Sequence, residues 1–295
     1  MSERSMRWRD LETWYRVVGD LTPGMGRTPV VILHGGPGAS HDYCEPIAEL
    51  SRFGYACVLY DQVGNGRSTH RPAAPADFWS VQLFKDELTE LTRHLGIAGR
   101  YFLVGQSWGG MLAMDFALGH PAGLAAIVVA DSPSSMELWV QEANRLRADL
   151  PADVQATLLR HEAAGTTDDP AYVAATEAFY DRHVCRVARP DCLQRSFAAI
   201  AADPTVYHTM NGPSEFHCIG SLRTWDITPR LHEITTPTLL VSGRYDEATP
   251  LIVGTIHERI PGARWALFEQ SSHMHIEEPE EFLATVVAFL AQHDR

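Results

Sequence analysis

RYFLVGQSWGG, residues 100–110, is the stretch that decides the fold of this chain. An apolar run from Tyr101 to Val104 stops at Gly105, and a helical stretch, MLAMDFALGHP (111–121), follows at once. Between them Ser107 is flanked by Gly105 and Gly109 in a G-x-S-x-G pattern. A serine exposed on a sharp strand-to-helix turn needs these glycines, because larger neighbours clash inside the turn. Short Gly/Ser patterns arise by chance. The strand before this one and the helix after it supply the context the motif requires.

Working outward, the same alternation recurs. PVVILHGGPG (29–38) and YACVLYDQVGNGRS (55–68) read as buried strands ending in glycine-rich turns. FWSVQLFKDELTELTRHLG (78–96) has helical spacing. LAAIVVADSP (124–133), TPTLLVSGRYDEATP (236–250) and ARWALFEQSSHMH (263–275) read as three more strands, and PEEFLATVVAFLAQH (279–293) as a last helix. With the stretch at 100–110 this makes six strands. Continuous apolar strands alternating with helices predict a mostly parallel sheet flanked by helices, an α/β fold. Ligands bind such sheets at the carboxyl ends of the strands, where these glycine- and acid-rich loops fall.

Residues 134–230 differ. MELWVQEANRLRADL (136–150), ADVQATLLRHEAAG (152–165) and AYVAATEAFYDRHVCRV (171–187) are amphipathic and helical, and PSEFHCIGSL (213–222) is loop-like. The expected organisation is a core of residues 1–133 and 231–295 with an inserted helical cap domain, 134–230, over the strand ends. No internal repeat or low-complexity segment occurs.

Composition narrows the function. The 295 residues suffice for one large core with an insertion. A formal net charge of −13 argues against a nucleic-acid partner, which needs a basic face, and disfavours anionic membrane surfaces. Lys85 is the only lysine, which reads as codon bias. The five cysteines, Cys44, Cys57, Cys185, Cys192 and Cys218, form no C-x-x-C, so neither a disulfide framework nor a zinc site is expected. The polar start lacks the apolar centre of a signal peptide, and no apolar run reaches membrane-spanning length. A cytoplasmic protein is the expectation. Nothing in the sequence bears on oligomeric state.

A serine hydroxyl is a weak nucleophile until a base, itself oriented by an acid, activates it. Downstream of Ser107, Asp246 follows one strand and His273 the next, the chain order Ser, acid, His. From the residues alone His275 competes as base, and Glu247 and Asp131 compete as acid. His120, His161 and His257 read as surface residues. Acyl transfer also needs N–H groups aimed at the carbonyl oxygen. Trp108, just after the serine, and Gly36, in HGGPG (34–38), are the candidate donors, with His34 bracing that loop. The turn DQVGNGRS (61–68) reads as architectural, since no lysine makes it a phosphate loop. Chemistry of this kind calls for no metal or organic cofactor. A serine at the elbow disfavours reactions that use a carboxylate nucleophile.

HGGPG, YDQVGNGRS, GQSWGG, NGPSEF, GRYDEATP and SSHMHIEEP together resemble the prolyl aminopeptidase (proline iminopeptidase) and amino-acid amidase family of α/β-hydrolases, over residues 30–279. The resemblance implies an α/β-hydrolase fold and release of an N-terminal amino acid from a peptide or amide, including aminoacyl amides of natural-product intermediates. It implies His273 as base and Asp246 as its acid. It implies that Glu247 and Glu215, with a backbone carbonyl of the glycine loop (Gly35), bind the substrate's free α-amino group. Phe216, Tyr207 and Trp225 are candidates for lining the pocket. DEATP departs somewhat from the forms of strict proline enzymes, so the preferred first residue stays open. Two other readings remain at this point. One is a carboxylesterase or lactonase without amine recognition, and the other a small-molecule receptor on the same fold.

Overall fold

The computed structural model describes residues 2–22, 26–273 and 275–294. Met274 of the SSHM pattern lies outside them.

Among the described residues the sheet has eight strands, in the order β1-β2-β4-β3-β5-β6-β7-β8. They are β1 (Ser2–Trp8), β2 (Leu11–Val18), β3 (Val30–Leu33), β4 (Cys57–Tyr60), β5 (Tyr101–Gln106), β6 (Leu124–Ala130), β7 (Thr238–Gly243) and β8 (Arg264–Phe268). From β4 to β8 every pairing is parallel, and the six strands expected from sequence are these. β1 and β2 were not expected. They form an antiparallel hairpin on the edge beside β4.

Alternation along each strand builds two cores. Val31, Leu33, Leu103, Ile127, Val129 and Leu240 point to one face. It is covered by α1 (Val81–His94), α2 (Trp108–Ala117) and α8 (Pro250–His257). Val30, Ile32, Phe102, Val104, Val128 and Val241 point to the other. That face is covered by a 3-10 run, His41–Phe53, and by α9 (Pro279–His293). Strands buried on both faces read as continuous apolar runs for this reason.

Between β6 and β7 the chain forms α3 (Met136–Arg147), α4 (Ala152–Ala164), α5 (Pro170–His183), α6 (Asp191–Ala202) and α7 (Thr205–Met210). These helices carry a small core of their own, with Leu146, Leu158, Tyr172, Phe179 and Phe216 at its centre. Among the described residues no helix is long and apolar enough to cross a membrane.

The strand order reverses at β3: β4 lies on one side of it and β5 on the other. A crevice opens at such a switch point, past the carboxyl ends of the two diverging strands. Here those ends are the glycine loop after β3 and Ser107 after β5.

Candidate active site

Ser107 takes φ +55° and ψ −122°, a conformation that L-residues rarely adopt. The surroundings hold it there. Its N–H donates to the Ala130 carbonyl at 2.8 Å, and Ser132 Oγ donates to its carbonyl at 2.8 Å. A Cβ on Gly105 would stand 2.2 Å from the Gly109 carbonyl oxygen, and one on Gly109 would stand 2.0 Å from that of Leu33. Backbone atoms cannot give way by that much, so both positions demand glycine.

Two loops face the elbow. Asp246 follows β7 and His273 follows β8. His273 Nδ1 donates to Asp246 Oδ1 at 2.7 Å, and the Ala248 N–H donates to the same oxygen at 2.7 Å. This leaves Nε2 of a neutral His273 as the free ring nitrogen. The Gln106 amide donates to the His273 carbonyl at 2.7 Å, which pins the loop to the residue next to Ser107. His275 is turned elsewhere: its Nε2 donates to the Tyr43 carbonyl at 3.0 Å. Burial lowers its pKa to about 4.

The glycine loop is braced from below. His34 Nε2 accepts from the Gln62 N–H at 2.9 Å, so its Nδ1–H is the donor to the Gly35 carbonyl, 3.0 Å away. Burial holds His34 neutral, with a pKa of about 4. The Gln62 side chain donates to the His34 carbonyl and accepts from Trp108 Nε1, both at 2.9 Å. The DQVGNGRS turn thus ties the glycine loop to the first residue of α2. The Gly35 N–H donates to Tyr43 Oη at 2.6 Å, and that hydroxyl donates to Gln106 Oε1 at 2.6 Å. A Cβ on Gly35 would stand 3.0 Å from the Ser107 Cβ. Gly36, at φ +110°, is the loop residue that reaches the cavity beside Ser107. The Trp108 N–H opens α2, where helix N–H groups lack intrahelical partners.

Ser107, His273, Gly36, Glu215 and Glu247 line one cavity of about 390 Å³. Its outer wall is Tyr172, Val173 and Thr176 of α5 and Phe197, Ile200 and Ala201 of α6. Glu247 is fully buried, and among the described residues neither of its carboxylate oxygens has a hydrogen-bond donor. Burial, then the charges of Glu215, Asp246 and Asp131, push its pKa well above the usual carboxylate range. Glu215 Oε1 accepts from the Tyr207 hydroxyl at 2.6 Å, and the Glu215 carbonyl accepts from Trp139 Nε1 at 2.7 Å. Burial raises the Glu215 pKa too, against the opposing pull of Tyr207 and His273. The end of α5 clamps the Glu247 loop, since His183 Nδ1 donates to the Tyr245 carbonyl at 2.9 Å.

Some expectations change. Of the three candidate pocket aromatics, Tyr207 lines the cavity. Phe216 instead packs on Phe179 in the helical core, and Trp225 donates to Asp115. His161 is buried rather than on the surface, and its Nδ1 shares a hydrogen bond with Thr166 Oγ1. Gln106, Tyr43 and Gln62 went unnoticed in the sequence. Gln106 had a signal, its place beside Ser107; Tyr43 and Gln62 had none.

The fold and the site define an α/β-hydrolase. The family profile of the alpha/beta hydrolase fold matches residues 28–279. The proline iminopeptidase of Saccharolobus solfataricus is 38% identical over 265 residues, 89% of this chain and 84% of that protein. Among solved structures, VinJ superposes with a TM-score of 0.96 at 51% identity, and the proline iminopeptidase of Mycobacterium smegmatis with 0.91 at 48%. Each superposition covers 99% of both chains. The chain belongs to the proline iminopeptidase family of α/β-hydrolases.

Proposed function

We propose that this enzyme is a serine aminopeptidase that releases an N-terminal residue, proline in the first instance, from a peptide or amide with a free α-amine. One observation carries the reading: the fully buried Glu247 carboxyl, bare of donors among the described residues, lines the same cavity as Ser107 and His273. A buried carboxylate without a partner is costly, and a substrate ammonium group supplies the missing charge-assisted bonds. Glu215 stands ready as the second acceptor. An N-terminal proline presents two N–H donors, one for each glutamate. A primary amine presents a third, for the remaining lone pair of the Gly35 carbonyl.

In the mechanism this supports, Ser107 attacks the carbonyl of the first residue while His273 Nε2 takes its proton. Asp246 holds the Nδ1–H and stabilises the imidazolium. The N–H groups of Gly36 and Trp108 bind the oxyanion. His273 then protonates the leaving amine, and water, activated by the same nitrogen, cleaves the acyl-enzyme. The wall formed by α5 and α6 is largely apolar, and the cavity volume lies in the range that holds drug-sized ligands. That favours a bulky apolar leaving amine, such as the body of a natural-product amide, over a simple ammonia leaving group.

The test is turnover of a panel of aminoacyl arylamides by the wild type and by Ser107→Ala. Prolyl arylamide cleaved by the first and untouched by the second supports the reading. Activity that survives in Ser107→Ala removes it.

A further inference from the structure

Two costs meet in Asp131, at the end of β6. Its backbone is left-handed, φ +54°, and its carboxyl is buried, with the residue 3% exposed. Turning the chain requires neither, since glycine or asparagine takes that conformation without burying an acid. After burial itself, Asp246 and then the Gln106 side chain are the groups that act most strongly on this carboxyl. Asp246 uses Oδ1 for both His273 and Ala248, whereas Oδ2 is buried and no N–H reaches it among the described residues. Two ionised carboxylates buried side by side repel, so such a pair is stable only where one keeps its proton. Asp246 accepts from an imidazole and a backbone N–H. Asp131 faces no cation, and the ion pairs in this acidic group, among the described residues, are to His273.

We infer that Asp131 is a protonated positioning residue, whose carboxylic O–H donates to Asp246 Oδ2 and holds that carboxylate in line with His273. Burial first, then the Asp246 charge, keep its pKa well above the carboxylate range, in agreement with this role. The titratable groups around it are Asp246, Glu277, Glu247, Tyr43 and, across a small cavity, His275 and Glu278. The inference rests on the serine–histidine–aspartate reading and adds a fourth member to it.

The experiment compares Asp131→Asn, which keeps a donor but no charge, with Asp131→Leu, which keeps neither. The readout is the rate at which phenylmethylsulfonyl fluoride labels Ser107, followed against pH, with melting curves alongside. This reagent carries no amine, so its binding does not draw on Glu215 and Glu247, and their effect on the pH profile is common to the wild type and both variants. Loss of a hydrogen bond to a charged group predicts that Asp131→Leu labels roughly tenfold to a hundredfold more slowly, and that Asp131→Asn restores most of the rate with the wild-type pH midpoint. Removing a charge beside the pair would drop the midpoint by about one pH unit, so such a drop in Asp131→Asn means an ionised Asp131 and overturns the inference. Wild-type labelling in a folded Asp131→Leu also overturns it. Should that variant not fold, the Asp131→Asn midpoint decides alone. A wild type that never labels at Ser107 sinks the serine reading itself and this inference with it.

Discussion

Nε2 of His273 and Oε1 of Glu247 stand 3.8 Å apart in one cavity wall. That is too far for a hydrogen bond, and neither oxygen of Glu247 finds a donor elsewhere among the described residues. The histidine that would move protons and the glutamate that would bind the amine are therefore neighbours. A substrate held by its amine at Glu247 has its first carbonyl within a few bonds of His273 and Ser107. Anchoring and chemistry are coupled by that spacing.

Glu247→Gln tests the anchor. A hydrogen bond to a charged group contributes about 1.5–3 kcal/mol, so kcat/KM on a free-amine arylamide should fall roughly tenfold to a hundredfold. Steady-state kinetics measure this, and an unchanged kcat/KM would contradict the assignment.

The same residue shapes stability against pH. Its pKa in the folded protein is raised above the ordinary value of 4.5. Between that value and the raised one, the folded state binds more protons than the unfolded state, so stability falls as pH climbs. The stabilising share is complete below pH 4.5 and is lost as pH rises through the folded pKa. Melting temperatures from pH 4.5 upward should fall less steeply for Glu247→Gln than for the wild type. Parallel curves would mean that Glu247 is not the buried acid described.

The two neighbouring histidines should separate cleanly. His273→Gln removes the ring that bridges Asp246 and the cavity, and kcat should drop at least about a thousandfold. His275→Gln loses one bond to the Tyr43 carbonyl and should keep kcat within about tenfold, in line with the loss of one neutral hydrogen bond. Equal losses would show that the base is misassigned.

Tyr207→Phe removes the hydroxyl that donates to Glu215. A neutral-donor bond of about 0.5–1.5 kcal/mol predicts a KM increase of roughly twofold to tenfold on free-amine substrates, with kcat little changed. A loss confined to kcat would place Tyr207 in the chemistry instead.

What the sequence disclosed depended on local signals. The elbow was legible because Gly105, Ser107 and Gly109 obey a steric rule within five residues. The parallel strands were legible because burial on both faces leaves unbroken apolar runs. The β1–β2 hairpin was not. Its turn joins Trp8 to Leu11 through Arg9 at φ +50°, with none of the glycine or asparagine that marks such turns. α6 and α7 were not read from the sequence either. Asp131 was legible as a candidate acid and Gln106 as a neighbour of Ser107, but how they and Tyr43 meet the site shows only in space. Their chain positions show that they are near strand ends, but not that a carboxyl, an amide and a hydroxyl converge on the Asp246–His273 pair and the glycine loop.

The most direct measurement is the ratio of kcat/KM for prolyl arylamide to that for its N-acetyl form, in the wild type and in Glu247→Gln. The account predicts a large ratio in the wild type, because the acetylated nitrogen brings no charge to the buried glutamates, and a ratio collapsed by at least about tenfold in the variant. A wild type that cleaves both forms equally well would contradict it and leave a general esterase or amidase on this fold.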